Sequence, residues 1–129
     1  MTDDSRDAVV SSLSVSRETE ARLQGLVGLL EKWNVAINLV WKATLDQIWP
    51  RHILDSAQVF DHGITARRWL DLGSGGGFPG LVVAILAAEK APEMQVTLVE
   101  ADQCKATFLR AVGQSLGLST TVMSDSVEA

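Results

Sequence analysis

The chain has 129 residues, of which 47% are apolar and 21% charged, and this composition excludes a disordered protein and suits one globular domain. Its net charge of −5 excludes indiscriminate RNA binding, which needs a basic surface. No apolar run approaches the roughly 20 residues that cross a bilayer, and the polar start is unlike a signal peptide, so we expect no membrane partner. A single cysteine excludes an internal disulfide and favours a cytoplasmic location.

The N-terminal part is predicted to be helical. Residues 1–15 are mostly polar and expected to be flexible. A helix is predicted from Ser16, its N-cap, towards Trp33, because apolar residues recur there with a period of 3.6. Together with the next helix it would form a small helical layer over residues 16–62.

That second helix is predicted from about Leu45 to Val59. Thr44 and Gln47 have the spacing of a capping box, which marks a helix start. Pro50 lies inside the predicted span, where it removes one backbone hydrogen bond. Basic residues are also most frequent in this region: residues 31–70 have five against four acidic ones, a charge of +1. We therefore expect any RNA-facing surface to be built from this middle segment.

Strands and helices alternate in the remainder, residues 63–129. The predicted strands are 67–72, 95–100 and about 120–123, and a helix follows each of the first two. This alternation predicts an α/β fold with a doubly wound parallel sheet. Such a sheet is normally covered on both faces and extended at its edges. We therefore expect an exposed strand edge, which would cause self-association or partial disorder of the chain.

A glycine-rich loop connects the first predicted strand to its helix, a context in which nucleotide-type cofactors bind. The loop satisfies two patterns. Gly75-x-Gly77-x-x-Gly80, with Glu100 ending the next strand, is the dinucleotide pattern. This pattern leaves a fragment of an NAD-binding dehydrogenase as one alternative for the chain.

The same loop also contains Asp71-x-Gly73-x-Gly75-x-Gly77, which is typical of class I methyltransferases. S-adenosylmethionine carries a sulfonium and an ammonium group, so a carboxylate beside the loop favours it, whereas Asp71 would repel a pyrophosphate. A carboxylate at Glu100 can accept both ribose hydroxyls of an adenosine cofactor. These residues favour S-adenosylmethionine.

Further motifs occur in a fixed order along the chain, and the set is Trp33-Asn34-x-x-Ile37-Asn38-Leu39, Arg51-His52-x-x-Asp55-Ser56, the glycine loop, 96–100 and Lys105-x-x-Phe108-Leu109-Arg110. Over residues 20–129 the chain resembles the bacterial 16S ribosomal RNA guanine-N7 methyltransferase family, also called the glucose-inhibited division protein B family. The resemblance implies a Rossmann-like class I methyltransferase fold of which only the N-terminal half is present, so the chain looks C-terminally truncated. It implies methyl transfer from S-adenosylmethionine to N7 of a guanine in 16S rRNA, free or within the small ribosomal subunit. A cofactor-binding remnant without activity is the alternative that the short length leaves open.

The resemblance also implies site residues. The implied cofactor-binding residues are Asp71, Gly73, Gly75, Gly77, Phe78, Glu100, Val127 and Glu128. The implied substrate contacts are Asn34, Asn38, Arg51 and His52, of which Arg51 and His52 are also candidate catalytic residues.

Structural explanations exist for several of these residues. Arg51 and Asp55 have the spacing of an i,i+4 helix pair, Phe78 has the character of a core residue, and Asp102 has the position of a helix N-cap. No metal site is expected, because the two histidines are far apart and no ligand cluster surrounds them. Guanine N7 carries an in-plane lone pair and no proton, so the reaction needs no general base.

Overall fold

A computed structural model of the chain describes residues 3–73 and 75–124, with the side chains of residues 3 and 4 left out. The N-terminal elements are α1 (Asp3–Leu13), α2 (Arg17–Asn34), α3 (Lys42–Asp46), a π-helical segment (Ile48–Ile53) and α4 (Leu54–His62). The C-terminal elements are β1 (Arg68–Leu72), α5 (Gly80–Lys90), β2 (Gln95–Val99), α6 (Gln103–Ser115) and β3 (Thr120–Met123).

The three strands form one parallel sheet in the order β1-β2-β3. Trp69 of β1 is opposite Val96 of β2, and Val96 is opposite Thr120 of β3. The strand bounds agree with the predicted ones to within one residue. The predicted α/β fold with a parallel sheet is therefore confirmed, and the carboxyl ends of all three strands lie at one edge.

Helix α5 is the centre of the core. It is apolar on all sides, which is typical of a buried helix, and every residue from Leu81 to Ala87 is buried. It packs against β2 of the sheet and against α2 and α4 of the helical layer. The core is therefore built on one face of the sheet, between the strands and the N-terminal helices.

The other face of the sheet presents apolar side chains to solvent. Side chains alternate between the two faces of a strand, and Leu70, Leu72 and Met123 are 60%, 54% and 45% exposed. The exposed strand edge that the sequence predicts is a different feature from this face, and self-association through that edge stays a prediction.

The N-terminal residues differ from expectation. Ser16 is the N-cap of α2 as predicted, since its hydroxyl oxygen accepts from the Thr19 amide at 3.2 Å. However, the segment 1–15, expected to be flexible, contains helix α1, whose Val9 is buried. Helix α1 packs on the π-helical segment, and its apolar residues Val9, Val10 and Leu13 contact the core.

The second predicted helix is interrupted. Thr44 does not cap a helix but lies within α3, whose N-cap is Trp41, and Gln47 follows the last residue of α3. Pro50 has no N–H to donate, and the hydrogen bonds around it shift: the Leu54 amide donates to the carbonyl oxygen of Trp49, five residues back. The prediction of one continuous α-helix over 45–59 is therefore wrong, because proline imposes a π-helical turn.

None of the helices in the described part of the chain combines the length and the apolar character needed to cross a bilayer.

Candidate functional site

The loop between β1 and α5 lies at the carboxyl edge of the sheet, where open α/β sheets bind ligands. Three of its glycines have positive φ values: 68° at Gly73, 50° at Gly75 and 96° at Gly77. At Gly77 an added Cβ would also lie 2.9 Å from Cγ of Leu81. The sharp turn that the sequence predicted is present, and glycine is required for it.

The outer side of the loop is open. A Cβ added at Gly73 would have no described heavy atom within 4 Å, and one added at Gly75 would have only the Gly73 carbonyl oxygen, at 3.9 Å. Bare backbone therefore faces open space at these two positions. A ligand can approach the main chain here more closely than any side chain would permit.

Glu100 lies directly against this loop. It follows the last residue of β2, and its Oε1 accepts from the Gly75 amide at 2.8 Å. Its Oε2 accepts from the Asp102 amide at 2.9 Å. An ionised carboxylate offers about four lone-pair positions, so these two bonds leave capacity for further donors. The sequence placed Glu100 near the loop but gave no sign that it fastens the loop to β2.

Asp71 is directed at the start of α5. Its Oδ2 accepts from the Gly80 amide at 3.0 Å, and a Cβ at Gly80 would overlap Asp71 and Leu98. A carboxylate thus accepts the hydrogen bond of an amide at the positive end of the helix, where a bound pyrophosphate would otherwise be held.

A third carboxylate lies nearby. The Oδ1 of Asp102 accepts from the Lys105 amide at 3.0 Å, which confirms the structural explanation of Asp102 as the N-cap of α6. Asp71, Glu100 and Asp102 all lie at the carboxyl edge of β1 and β2. Their summed charge favours a cationic ligand over an anionic one.

A groove borders the loop on its α4 side. The rings of His52 and Phe78 have centroids 5.6 Å apart and planes inclined by 50°. The groove has a volume of about 190 Å³, and its lining residues are Arg51, His52, Asp55, Ser56, Val59, Phe78 and Pro79. The structure therefore brings together two motifs that the sequence had identified separately. Phe78 is half-buried: it packs against the core and also lines this groove.

The predicted pair of Arg51 and Asp55 is not formed. Both side chains are exposed, and no ion pair joins these two described residues. Arg51 lies in the π-helical segment, whose wider turn displaces residues from the i,i+4 alignment of an α-helix. The guanidinium of Arg51 is therefore accessible at the mouth of the groove.

Asn34 has a role that the sequence did not indicate. Its Oδ1 accepts from the amides of Leu39 at 2.8 Å and Val40 at 2.9 Å, which fixes the loop after α2. Asn38 is exposed on that loop, and its contact with substrate stays a prediction. The predicted cofactor residues Val127 and Glu128 lie outside the described residues.

The basic residues of the middle segment do not form one surface. Arg67 and Arg68 lie at the amino end of β1, at the far end of the strand from the glycine loop, whereas Arg51 borders the groove. Among the described residues, no group of three His, Cys, Asp or Glu side chains could hold a metal ion.

Comparison with known proteins identifies the family. The model of the rRNA small subunit methyltransferase G family matches residues 19–129. The chain belongs to this family. It is 52% identical over 125 residues to the Ribosomal RNA small subunit methyltransferase G of Cereibacter sphaeroides, covering 96% of this chain and 61% of that protein.

Two further relatives with the same name are 52% identical over 117 residues. The alignment with the Ruegeria sp. protein covers 91% of this chain and 57% of the relative, and that with the Parvibaculum lavamentivorans protein covers 90% and 51%. The chain therefore spans about half to three fifths of the length of these relatives. Within the rRNA small subunit methyltransferase G family, its three-stranded parallel sheet is consistent with a class I methyltransferase fold.

Proposed function

We propose that this chain forms the cofactor site and one wall of the substrate site of a methyltransferase. The reaction is methyl transfer from S-adenosylmethionine to N7 of a guanine in small-subunit ribosomal RNA. The observation that carries the proposal is the position of Glu100 against the open side of the glycine loop, in a chain of this family.

The residues present fit the cofactor. S-adenosylmethionine, when bound, supplies an electrophilic methyl group on a sulfonium. Gly73 and Gly75 offer bare backbone for close approach, and Glu100 keeps lone pairs with which to accept ribose hydroxyls. Val127 and Glu128 are proposed to contact the adenine side.

Asp71 supports this cofactor over NAD. It accepts from the Gly80 amide, so the helix end that would hold a pyrophosphate is occupied by a carboxylate. The same negative charge stabilises a sulfonium and an ammonium at this edge. An anionic dinucleotide would have to displace Asp71 and overcome its repulsion.

The groove beside Phe78 is proposed to receive the guanine. An unpaired base can stack on aromatic rings and form hydrogen bonds through its edges. The His52 and Phe78 rings lie in the groove that borders the glycine loop. Arg51 is exposed there and can neutralise a phosphate of the RNA. Guanine N7 has a free lone pair, so we assign His52 to positioning the base. Holding N7 in line with the methyl group and sulfur can lower the activation free energy by about 7–11 kcal/mol.

The test is methylation by this chain of small ribosomal subunits, and separately of free 16S rRNA, that lack the modification. Tritium from labelled S-adenosylmethionine should enter the RNA, and borohydride reduction followed by aniline cleavage should locate it at a guanine N7. His52→Ala should lower the rate at least tenfold. His62→Ala, an exposed histidine at the end of α4, is the matched control and should not. Label on another atom, or equal rates for both variants, would overturn the assignment.

A second candidate is cofactor binding without catalysis. Because the chain covers 61% of the Cereibacter sphaeroides relative, methyl transfer is tested separately from cofactor binding. Calorimetric binding of S-adenosylmethionine together with no methyl transfer to either RNA substrate would select this candidate. Transfer to either substrate would eliminate it.

A further inference from the structure

Asn34, the last residue of α2, fixes the segment that packs behind the glycine loop. Its side-chain oxygen accepts from two backbone amides, those of Leu39 and Val40, at 2.8 and 2.9 Å. One carboxamide oxygen thereby closes the segment 35–40 into a fixed loop, which we call the support loop. The start of this loop is also fixed, because the amide of Ile37 donates to the Trp33 carbonyl oxygen at 2.9 Å.

The support loop lies directly against the glycine loop. At Gly76 an added Cβ would be 3.0 Å from Cγ1 of Val40 and 3.5 Å from the carbonyl oxygen of Leu39. Gly76 and Leu39 are both buried. The two residues whose amides Asn34 holds are thus the two that lie nearest to Gly76 on the rear side of the glycine loop.

The opposite side of the glycine loop faces the ligand. Gly75 precedes Gly76, its outer side is open, and its amide donates to Glu100. The loop is therefore held between Glu100 in front and the support loop behind. Removal of either hold takes away one of the contacts that fix the backbone at Gly75 and Gly76.

The end of α2 is itself anchored to α6. Trp33 meets Phe108 of α6 edge to face, with ring centroids 5.6 Å apart. Helix α6 begins just after Glu100 and is capped by Asp102. Asn34 therefore projects from a fixed position relative to the carboxylate that faces the cofactor site.

We propose that Asn34 is a positioning residue for the cofactor loop, acting through Leu39 and Val40 on Gly76 rather than by contact with RNA. The inference rests on the proposed function, since it assigns the glycine loop to S-adenosylmethionine. An oxygen acceptor is what the geometry requires. Aspartate supplies one and alanine does not.

The test compares Asn34→Ala with Asn34→Asp in this chain, using amide hydrogen exchange at Gly75 and Gly76 and calorimetric affinity for S-adenosylmethionine. Loss of two backbone hydrogen bonds should speed exchange and weaken binding by roughly tenfold each. Asn34→Asp should recover most of both. Glu89→Gln, which removes a charge at the far end of α5, controls for general loss of stability and should leave exchange at the glycine loop unchanged.

Gly76→Ala provides a second variant if Asn34→Ala does not fold. Its Cβ presses on Val40 from the other side, so it should speed exchange at Gly75 and weaken binding in the same way. The positioning role would be overturned if Asn34→Ala kept the exchange rates and affinity of the wild type. If Asn34→Ala does not fold, the same result for Gly76→Ala would overturn it. If Asn34→Ala speeds exchange but the wild-type chain binds no S-adenosylmethionine, the role of Asn34 in the loop is supported and the proposed cofactor is refuted.

Discussion

Substitution of Gly80 by alanine tests the packing beneath the candidate cofactor site. Gly80 is buried at the first position of α5, and an added Cβ would overlap the Asp71 carboxylate and a Leu98 methyl group. Leu98 is fully buried in β2, so it cannot withdraw into solvent. Asp71 can move only by giving up its 3.0 Å bond to the Gly80 amide.

The magnitude follows from these contacts. Overpacking costs about 1–3 kcal/mol, and an amide left without its partner costs about 1–3 kcal/mol more. Alanine in place of glycine returns about 0.5–1 kcal/mol to a helix. We therefore expect Gly80→Ala to lower the free energy of unfolding by about 1–5.5 kcal/mol.

The assay is urea denaturation followed by circular dichroism, in which a lower midpoint with an unchanged slope reports stability. Gly28→Ala is the matched control, because Gly28 is exposed in α2 and its added Cβ would have no described heavy atom within 4 Å. That control should gain about 0.5–1 kcal/mol. Equal stabilisation by Gly80→Ala would refute the close packing described here.

Three further predictions concern stability and association. Glu89 accepts hydrogen bonds from the Thr19 hydroxyl, which has the larger effect, and from the Ser16 amide, and these bonds lower the pKa of its carboxyl from 4.5 to about 2. The resulting stabilisation of the folded state is therefore complete above pH 4.5 and is lost as the pH falls towards 2. Because Glu89 is solvent-exposed, Glu89→Gln should lower the free energy of unfolding by only about 1 kcal/mol at pH 7. Urea denaturation should show that this difference becomes smaller below pH 4.5. Asp102→Ala should cost about 1 kcal/mol by removing the N-cap of α6, whereas Asp102→Asn should cost little, as thermal unfolding can measure. Leu72→Lys should reduce concentration-dependent association in analytical ultracentrifugation, and an unchanged mass distribution would show that the exposed sheet face is not involved.

The features that the sequence predicted correctly depend on neighbouring residues. Ser16 and Asp102 cap their helices through amides three residues ahead. Such interactions close within one helical turn, so residue type and spacing are sufficient to anticipate them.

The features that it missed depend on the arrangement of distant segments. Nothing near His52 in the sequence indicates that its ring meets Phe78, since that contact requires α4 to dock on α5. Likewise, the acidic character of Glu100 suggested ligand binding but not its bond to Gly75. The sequence shows that Pro50 is unfavourable inside a helix, yet the π-helical turn depends on how its neighbours redistribute their hydrogen bonds.

The most direct test of the account is an isothermal titration of this chain with S-adenosylmethionine and, separately, with NAD. Because Asp71 occupies the helix end while Gly73, Gly75 and Glu100 leave an open acidic edge, we predict binding of S-adenosylmethionine and none of NAD. Gly73→Val, which fills the open side of the loop at a residue with positive φ, should abolish that binding. Binding of NAD, or no heat with S-adenosylmethionine, would contradict the proposal that these residues form its site.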